Sequence, residues 1–224
     1  MSAPVLMLHG FGTSSARTWG DNGWLDLLRD VGREPLAVDL LGHGTAAKPH
    51  EPEAYADLEG HVRAALPPGP LDGIGFSLGA RVLLGLAAAE PDRFGRIAVL
   101  GVGENLLRTD QDGGRVRRAL AGDADPDDPV AHYFAGLAAH PDSDRDALLA
   151  CVQAPRPVLT PELLAKVTAR VLVVLGDEDP AGPAEPLVDA LPDASLVTLR
   201  AVDHFATPKD FGAIDAVLGL LGEP

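Results

Sequence analysis

A serine lies between two glycines in the segment Gly75-Phe76-Ser77-Leu78-Gly79. The residues before it have the pattern of a buried strand, and those after it have the pattern of a helix. At such a corner a sharp turn projects the serine Oγ outward, and the close approach of strand and helix requires small residues two positions away on each side. Glycine-flanked serines are common, but the placement between a strand and a helix favours a nucleophile over an ordinary turn.

A serine hydroxyl attacks a carbonyl carbon only when a base removes its proton. Among the seven histidines, His204 follows the last predicted strand and precedes the last predicted helix. The loop that carries it can therefore fold over the edge of the sheet where Ser77 is expected. We interpret the other histidines as surface, turn or strand-end residues: His9, His43, His50, His61, His132 and His140.

The base needs a carboxylate that orients the imidazole and stabilises its charged form. The segment LGDEDPAGP follows the fifth apolar run and offers Asp177, Glu178 and Asp179. A carboxylate at this position can reach a histidine from the neighbouring strand, but the residues alone do not separate Asp177 from Asp179. We interpret Asp203, next to the histidine, as a turn residue and Asp39 as a more distant candidate.

Acyl transfer also requires hydrogen-bond donors for the oxyanion that forms when the carbonyl is attacked. The backbone N–H of Leu78, directly after the serine, is one candidate because it opens the predicted helix. The loop HGFG at residues 9–12 follows the first apolar run and offers the backbone N–H of Phe11 as the second. An ordinary glycine turn is the alternative reading of this loop.

The elements that must position these groups are six short runs rich in Val, Leu and Ile. Nearly continuous hydrophobicity of this kind is typical of parallel strands that are buried on both faces. In open parallel sheets ligands bind beyond the carboxyl ends of the strands, where each candidate residue falls. The runs occupy residues 4–10, 34–40, 71–77, 96–102, 170–176 and 195–202.

Helical patterns alternate with these runs, and this alternation predicts an α/β fold. We expect an open, mostly parallel six-stranded sheet with helices on both faces. The interval 104–168 contains short helical patches but no strand candidate, so we predict a small helical insertion over one end of the sheet. The helical patterns between the strands occupy residues 23–32, 55–66, 80–90, 185–191 and 209–221.

The chain has 224 residues, which fits one domain over residues 1–224. Hydrophobic residues make up 46% of it and aromatic residues only 4%, so the core must be mostly aliphatic. A net charge of −15 repels phosphate backbones and anionic membrane surfaces, which argues against binding to nucleic acid or to a membrane.

Cys151 is the only cysteine, and its apolar surroundings in the sequence predict a buried, unreactive thiol. We see no leader sequence and no apolar stretch near the ~18 residues that a membrane span needs. We therefore expect a soluble protein in the cytoplasm. No clustered histidine, cysteine and aspartate spacing suggests a metal site, and we expect no cofactor.

The sequence resembles the α/β-hydrolase superfamily over nearly its whole length. The landmarks are LMLHGFG, DLLGHGTAAKP, GIGFSLGARV, VLVVLGDEDP and VDHF, in that order. The resemblance implies that Ser77, Asp179 and His204 form a catalytic triad, because the acid of this family usually stands three residues after the strand-ending glycine. It also implies that the N–H groups of Phe11 and Leu78 form the oxyanion hole.

The same resemblance implies that residues 104–168 form the cap that covers the site in many members. Members usually begin with an antiparallel hairpin, whereas this chain starts at the strand that carries the oxyanion loop. The strand at 34–40 is therefore expected at an uncovered edge of the sheet, where it could pair with another molecule. The oligomeric state stays open.

The predicted function is hydrolysis of a carboxylic ester or thioester with a small, mostly apolar, uncharged acyl group, so the expected partner is a small molecule. Other reactions of the same triad remain as alternatives: carbon–carbon bond hydrolysis, perhydrolysis and cyanohydrin cleavage. A ligand receptor that turns over slowly is a further alternative. The residues predicted to line the substrate pocket are Phe11, Trp19, Phe76, Leu106, Tyr133, Phe134 and Phe205.

Overall fold

A computed structural model describes the protein over residues 2–108, 113–123 and 127–222. Six strands form one open sheet in the order β2-β1-β3-β4-β5-β6, and each neighbouring pair is parallel. This confirms the predicted six-stranded sheet. The strands are β1 (Val5–Leu8), β2 (Pro35–Val38), β3 (Leu71–Phe76), β4 (Phe94–Leu100), β5 (Arg170–Gly176) and β6 (Ala194–Leu199).

The α-helices of these ranges cover both faces of the sheet, as predicted from the alternating pattern. None of them has the length and the unbroken apolar character that crossing a membrane requires. They are α1 (Trp24–Asp30), α2 (Leu58–Ala65), α3 (Leu78–Ala89), α4 (Gly113–Ala121), α5 (Pro129–Ala138), α6 (Arg145–Gln153), α7 (Pro161–Leu164), α8 (Glu185–Asp189) and α9 (Phe211–Gly222).

The core consists of one apolar layer on each face of the sheet. Along β1, Leu6 and Leu8 pack into the layer that contains α2 and α3, whereas Val5 and Met7 pack into the layer that contains α1 and α9. All four side chains are fully buried. Successive strand residues point to opposite faces, so a strand covered on both faces must be apolar throughout.

The strand β2 lies at one edge of the sheet, as the sequence predicted. Its residues are only partly buried, and Ala37 is exposed. β1 pairs with it on one side and with β3 on the other, so that Leu8 lies opposite both Val38 and Gly75. This register brings the carboxyl ends of all three strands to the same edge of the sheet.

The described part of the interval 104–168 is helical and contains no strand. Helix α4 packs against both α5 and α6, next to a small apolar cluster of Val116, Leu120 and Leu148. Two aromatic side chains pack on this cluster: Phe11 from the loop after β1, and Phe134 from α5. The cluster therefore joins these helices to the edge of the sheet where the strands end. The limits of the interval as a cap stay a prediction.

A buried ion pair lies near the amino ends of the strands, opposite the carboxyl ends where the candidate site residues lie. The side chains of Arg33 and Asp72 are 5% and 4% exposed, and the guanidinium of Arg33 donates to the carboxylate of Asp72. Arg33 also donates to the carbonyl oxygen of Leu221, at 2.6 Å, and the other oxygen of Asp72 accepts from the backbone N–H of Arg96, at 2.7 Å. These bonds tie β3, β4 and the C-terminal helix together.

Replacing Asp72 by alanine is expected to lower the free energy of unfolding by about 3–5 kcal/mol, because it leaves the Arg33 charge buried without its partner. Urea unfolding monitored by circular dichroism measures the change. The matched control is Asp26→Ala, which removes the exposed Arg29–Asp26 pair on α1. That variant should lose less than about 1 kcal/mol, and equal losses in the two variants would contradict this account.

Candidate active site

Ser77 stands where β3 ends and α3 begins, and its backbone lies in the left-handed region at φ 52° and ψ −112°. Few residues other than glycine adopt positive φ. The corner is tight, because a Cβ atom at Gly79 would lie 2.2 Å from the carbonyl oxygen of Leu8. A Cβ at Gly75 would lie 2.6 Å from the Cα of Ala80. Both glycines of the motif are thus required by close backbone contacts.

His204 meets the serine from the loop after β6. Its Nε2 lies 3.1 Å from the Oγ of Ser77, within hydrogen-bonding distance. The imidazole packs beside the ring of Phe76, with ring centroids 5.0 Å apart, and its side chain is 16% exposed. Phe76 belongs to β3, so the strand that carries the serine also supports the histidine.

The carboxylate of Asp179 lies on the other side of the imidazole. Its Oδ2 is 2.9 Å and its Oδ1 3.1 Å from Nδ1 of His204. Oδ1 also accepts a hydrogen bond from the backbone N–H of Ala181 at 2.8 Å, and the side chain is fully buried. A carboxylate only accepts hydrogen bonds, so Nδ1 carries the proton and Nε2 is free to accept from the serine.

Two of the other carboxylates considered from the sequence, Asp177 and Asp203, bind backbone groups instead. Asp177 accepts from the N–H of Ala201 at 2.7 Å. Asp203 accepts from the N–H of Phe205 at 2.9 Å and closes a turn, as the sequence suggested. The carboxylate beside His204 is therefore that of Asp179 and not that of Asp177.

Asp39, the more distant candidate, connects two loops at the same edge of the sheet. Its Oδ1 accepts from the N–H of Ser15 at 2.8 Å, and its Oδ2 accepts from the N–H and Oγ1 of Thr45 at 2.8 and 2.9 Å. Burial by itself would raise the pKa of the Asp39 carboxyl. The hydrogen bonds from Thr45 and Ser15 outweigh this effect and lower the pKa. Asp39 thus holds the loop after β1 against the loop after β2.

The backbone N–H groups of Phe11 and Leu78 are the two oxyanion donors expected from the sequence. Within the described residues, neither donates to a protein acceptor. Both residues line the same cavity as Ser77 and His204. The two groups are therefore available to an oxygen atom bound next to the serine, which is what an oxyanion hole requires.

The serine opens into a cavity of about 420 Å³ between the edge of the sheet and the helices of the 104–168 interval. This volume suits a small organic molecule. Within the described residues, no group of three or more His, Cys, Asp and Glu side chains could hold a metal ion. The apolar side chains that line the cavity are Phe11, Leu78, Leu106, Val116, Val130, Phe134, Val152, Val158, Pro180, Ala181 and Phe205.

Four of the predicted pocket residues line this cavity: Phe11, Leu106, Phe134 and Phe205. The other three do not. Trp19 is a core residue rather than a pocket wall, because its ring is fully buried and packs edge-on against Trp24, 5.5 Å away. Phe76 supports His204 from below, and Tyr133 stacks on the ring of Phe205 outside the cavity, with centroids 3.5 Å apart.

Four arginines also line the cavity, and sequence reasoning missed them: Arg81, Arg108, Arg115 and Arg156. Three of them come from the 104–168 interval, where a sequence pattern does not show which side chains point inward. Arg81 could have been found, because it stands one helical turn after Ser77 and residues four apart share a helix face.

The profile of the Alpha/beta hydrolase family matches residues 5–213, nearly the whole chain. The chain belongs to the alpha/beta hydrolase family. This confirms the resemblance inferred from the sequence landmarks. The family also explains the order of the candidate residues along the chain, with the serine first, the acid second and the histidine last.

This alpha/beta hydrolase is 34% identical over 112 residues to esterase Rv0045c of Mycobacterium tuberculosis. The match covers 48% of the present chain and 36% of that esterase, so the similar region is little more than a third of the relative's length.

Solved structures of other hydrolases share the fold at low sequence identity. A carboxylesterase structure from the thaumarchaeon Nitrososphaera gargenis has a TM-score of 0.76 at 18% identity, and the match covers 98% of this chain and 90% of that one. The 2-hydroxy-6-oxo-6-phenylhexa-2,4-dienoate hydrolase of Rhodococcus has a TM-score of 0.69 at 22% identity, with 97% and 89% covered. These likenesses show a common fold.

Two buried histidines support the loop that carries Phe11 in this hydrolase. The rings of His9 and His43 lie 5.3 Å apart, and Phe11 packs edge-on against His43 at 5.5 Å. Nε2 of His9 accepts from the N–H of Leu40 at 3.0 Å, which requires the neutral form of the ring. Burial lowers the pKa of His9, and it lowers the pKa of His43 to about 3.

The stability of this hydrolase should therefore fall in mild acid. Below about pH 6.5 His43 is protonated in the unfolded chain, whereas in the folded chain it is protonated only below about pH 3. The contribution of His43 to the free energy of unfolding is therefore complete above about pH 6.5 and is lost as the pH falls. By pH 5 this site alone should cost about 2 kcal/mol.

Between pH 7 and pH 5, the free energy of unfolding should fall by about 2 kcal/mol less in His43→Gln than in the wild type. Glutamine itself lowers the stability at both pH values. Urea unfolding at the two pH values measures the difference. The control is His61→Gln on the exposed surface of α2, which should keep the wild-type pH dependence. A wild-type dependence in His43→Gln would contradict the assignment.

Proposed function

We propose that this chain is a serine hydrolase that cleaves a carboxylic ester or thioester of a small, mostly apolar substrate through an acyl-enzyme. The observation that carries the proposal is the continuous hydrogen-bonded array from Ser77 Oγ through His204 to Asp179, with distances of 3.1 and 2.9 Å. The array lies at the mouth of a cavity large enough for such a substrate.

In the first half of the reaction Ser77 Oγ attacks the carbonyl carbon while Nε2 of His204 takes the hydroxyl proton. The imidazolium that forms is stabilised by the buried carboxylate of Asp179. The carbonyl oxygen becomes an oxyanion, and the N–H groups of Phe11 and Leu78 donate to it. Collapse of this intermediate breaks the ester bond, and the leaving alkoxide takes the proton from Nε2 and departs as the alcohol.

In the second half a water molecule attacks the acyl-enzyme. His204 now takes a proton from the water, and the same two N–H groups stabilise the second oxyanion. Collapse frees the carboxylic acid and returns the proton to Ser77. Each protein group thus ends in its starting state, and the net reaction consumes one ester and one water molecule.

Replacing Ser77 by alanine is expected to abolish both ester hydrolysis and labelling by an active-site-directed fluorophosphonate. The assay is a chain-length series of 4-nitrophenyl esters, run beside a dienoic diketone and a perhydrolysis assay that report on the other reactions of such a triad. The folded wild type should be labelled. A folded wild type that is neither labelled nor active on any of these substrates would contradict the hydrolase proposal.

Replacing Asp179 by asparagine is expected to lower kcat by roughly 10⁴-fold, because an amide favours the wrong tautomer of the imidazole and does not stabilise its charge. The matched control is Asp177→Asn, two residues earlier in the same loop, whose carboxylate binds the backbone of Ala201 instead. Steady-state kinetics with a 4-nitrophenyl ester measures both. A larger loss of kcat in Asp177→Asn than in Asp179→Asn would reverse the assignment of the acid.

A further inference from the structure

The charge of the cavity is opposite to the charge of the protein. The chain has 33 acidic and 18 basic residues. Among the described residues that line the cavity, four are arginines and one, Asp179, is a carboxylate. That carboxylate is fully buried against His204 and faces the imidazole rather than the arginines. The interior surface that a substrate meets is therefore cationic.

Two of the four arginines are neutralised by carboxylates outside the cavity lining. Arg108 pairs with Glu104, one helical turn earlier. Arg115 pairs through two hydrogen bonds with Asp128, and these bonds lower the pKa of Asp128 to about 2. Since these charges are already balanced within the protein, they contribute little attraction for a charged ligand.

Arg156 has no such partner among the described residues. The ion pairs formed by arginine in the described part of the chain do not include it. Its guanidinium donates to the carbonyl oxygen of Cys151 at 2.6 Å and contacts Sγ at 3.3 Å. Burial raises the pKa of that thiol, so the sulfur is neutral and does not balance the arginine. The Nε atom of Arg156 is buried without a hydrogen-bond acceptor among the described residues.

Arg81 lies on α3, the helix that follows the candidate nucleophile. Its backbone N–H donates to the carbonyl oxygen of Ser77 at 3.1 Å, which places it one turn into α3. Its guanidinium donates to the carbonyl oxygen of Pro157, the residue directly after Arg156. Arg81 thus contacts the chain directly after Arg156 and stands one turn of helix from the reactive serine. Both arginines line the same cavity.

We propose that Arg156, with Arg81 beside it, binds a carboxylate of the substrate. Besides the ester group that is cleaved, the substrate would then carry a free carboxylate, either in its acyl part or in its alcohol part. The planar guanidinium fork matches a carboxylate, and such charge-assisted hydrogen bonds are stronger than neutral ones, particularly where water is partly excluded. The inference rests on the proposed ester hydrolysis, and it replaces the uncharged acyl group expected from the sequence.

The apolar lining of the cavity fits the same substrate. Four valines line the same cavity as the arginines: Val116, Val130, Val152 and Val158. They can contact a short hydrocarbon stem while the carboxylate reaches the guanidinium groups. A small, mostly apolar substrate with one charged end uses both kinds of lining.

The test compares esters that differ only in this charge. One pair is 4-nitrophenyl hydrogen glutarate and its methyl ester, in which the carboxylate lies in the acyl part. The other pair is 4-acetoxybenzoate and its methyl ester, in which it lies in the leaving group. We expect kcat/KM to be about 10- to 100-fold higher for the anionic member of at least one pair, and the preferred pair identifies which part is charged.

Arg156→Gln should lower kcat/KM for the anionic ester by about tenfold more than for its neutral partner. Arg156→Lys should retain part of the preference, because it keeps the charge but not the fork. The control is Arg29→Gln on α1, an exposed arginine that pairs with Asp26 away from the cavity. Its preference should equal that of the wild type. Equal kcat/KM within both pairs, or equal losses within a pair in Arg156→Gln, would overturn the inference.

A binding measurement separates this inference from the proposed function. Ser77→Ala should bind 4-acetoxybenzoate at least about tenfold more tightly than its methyl ester in calorimetry, and the double variant with Arg156→Gln should lose that difference. Neutral esters that are hydrolysed without any anionic preference contradict the carboxylate site alone. Anionic binding in a wild type that hydrolyses no ester contradicts the proposed function alone. Absence of both contradicts the two together.

Discussion

The backbone of Ser77 is held at φ 52° where β3 becomes α3, and the remaining features of the site follow from this corner. A non-glycine residue in such a conformation costs about 1–3 kcal/mol, which surrounding contacts must offset. The contact of Gly79 with the backbone of Leu8 is one of them, because it ties α3 to β1 at the point of strain. The turn points the hydroxyl toward the cavity and leaves the N–H of Leu78 free. It also sets the direction of α3, which places Arg81 one turn further along.

The parallel sheet brings the partners of the serine to this corner from distant parts of the chain. Adjacent strands β5 and β6 end at the same edge, so the loops that carry Asp179 and His204 are neighbours although 25 residues separate the two side chains. A fully buried carboxylate is costly unless its oxygens are hydrogen-bonded. The N–H of Ala181 and the imidazole provide these bonds, so the array that would carry the chemistry also makes the burial of Asp179 tolerable.

Sequence reasoning succeeded where a local pattern determines a local structure. Continuous apolar runs identified all six strands, and the spacing of glycines around Ser77 identified the corner, because both depend on near neighbours. Spacing could not separate Asp177 from Asp179, since each could reach the histidine and only the course of the loop decides between them. Trp19 was assigned to the pocket by its position in the sequence, but the direction of its side chain depends on how it packs against Trp24. Arg156 was missed because only tertiary packing shows that it lines the same cavity as the serine.

The net charge of −15 and a cationic cavity are compatible because the two act over different distances. At physiological ionic strength, exposed charges are largely screened beyond about 8 Å, so the acidic surface mainly repels large polyanions that must contact it over a wide area. A partly buried guanidinium is screened much less, and its attraction for a carboxylate inside the cavity persists. The acidic surface therefore argues against nucleic acid as a partner without arguing against a small anionic molecule. In the proposed carboxylate site, the local balance of charge around Arg156 would select the ligand, and the overall composition of the chain does not show this balance.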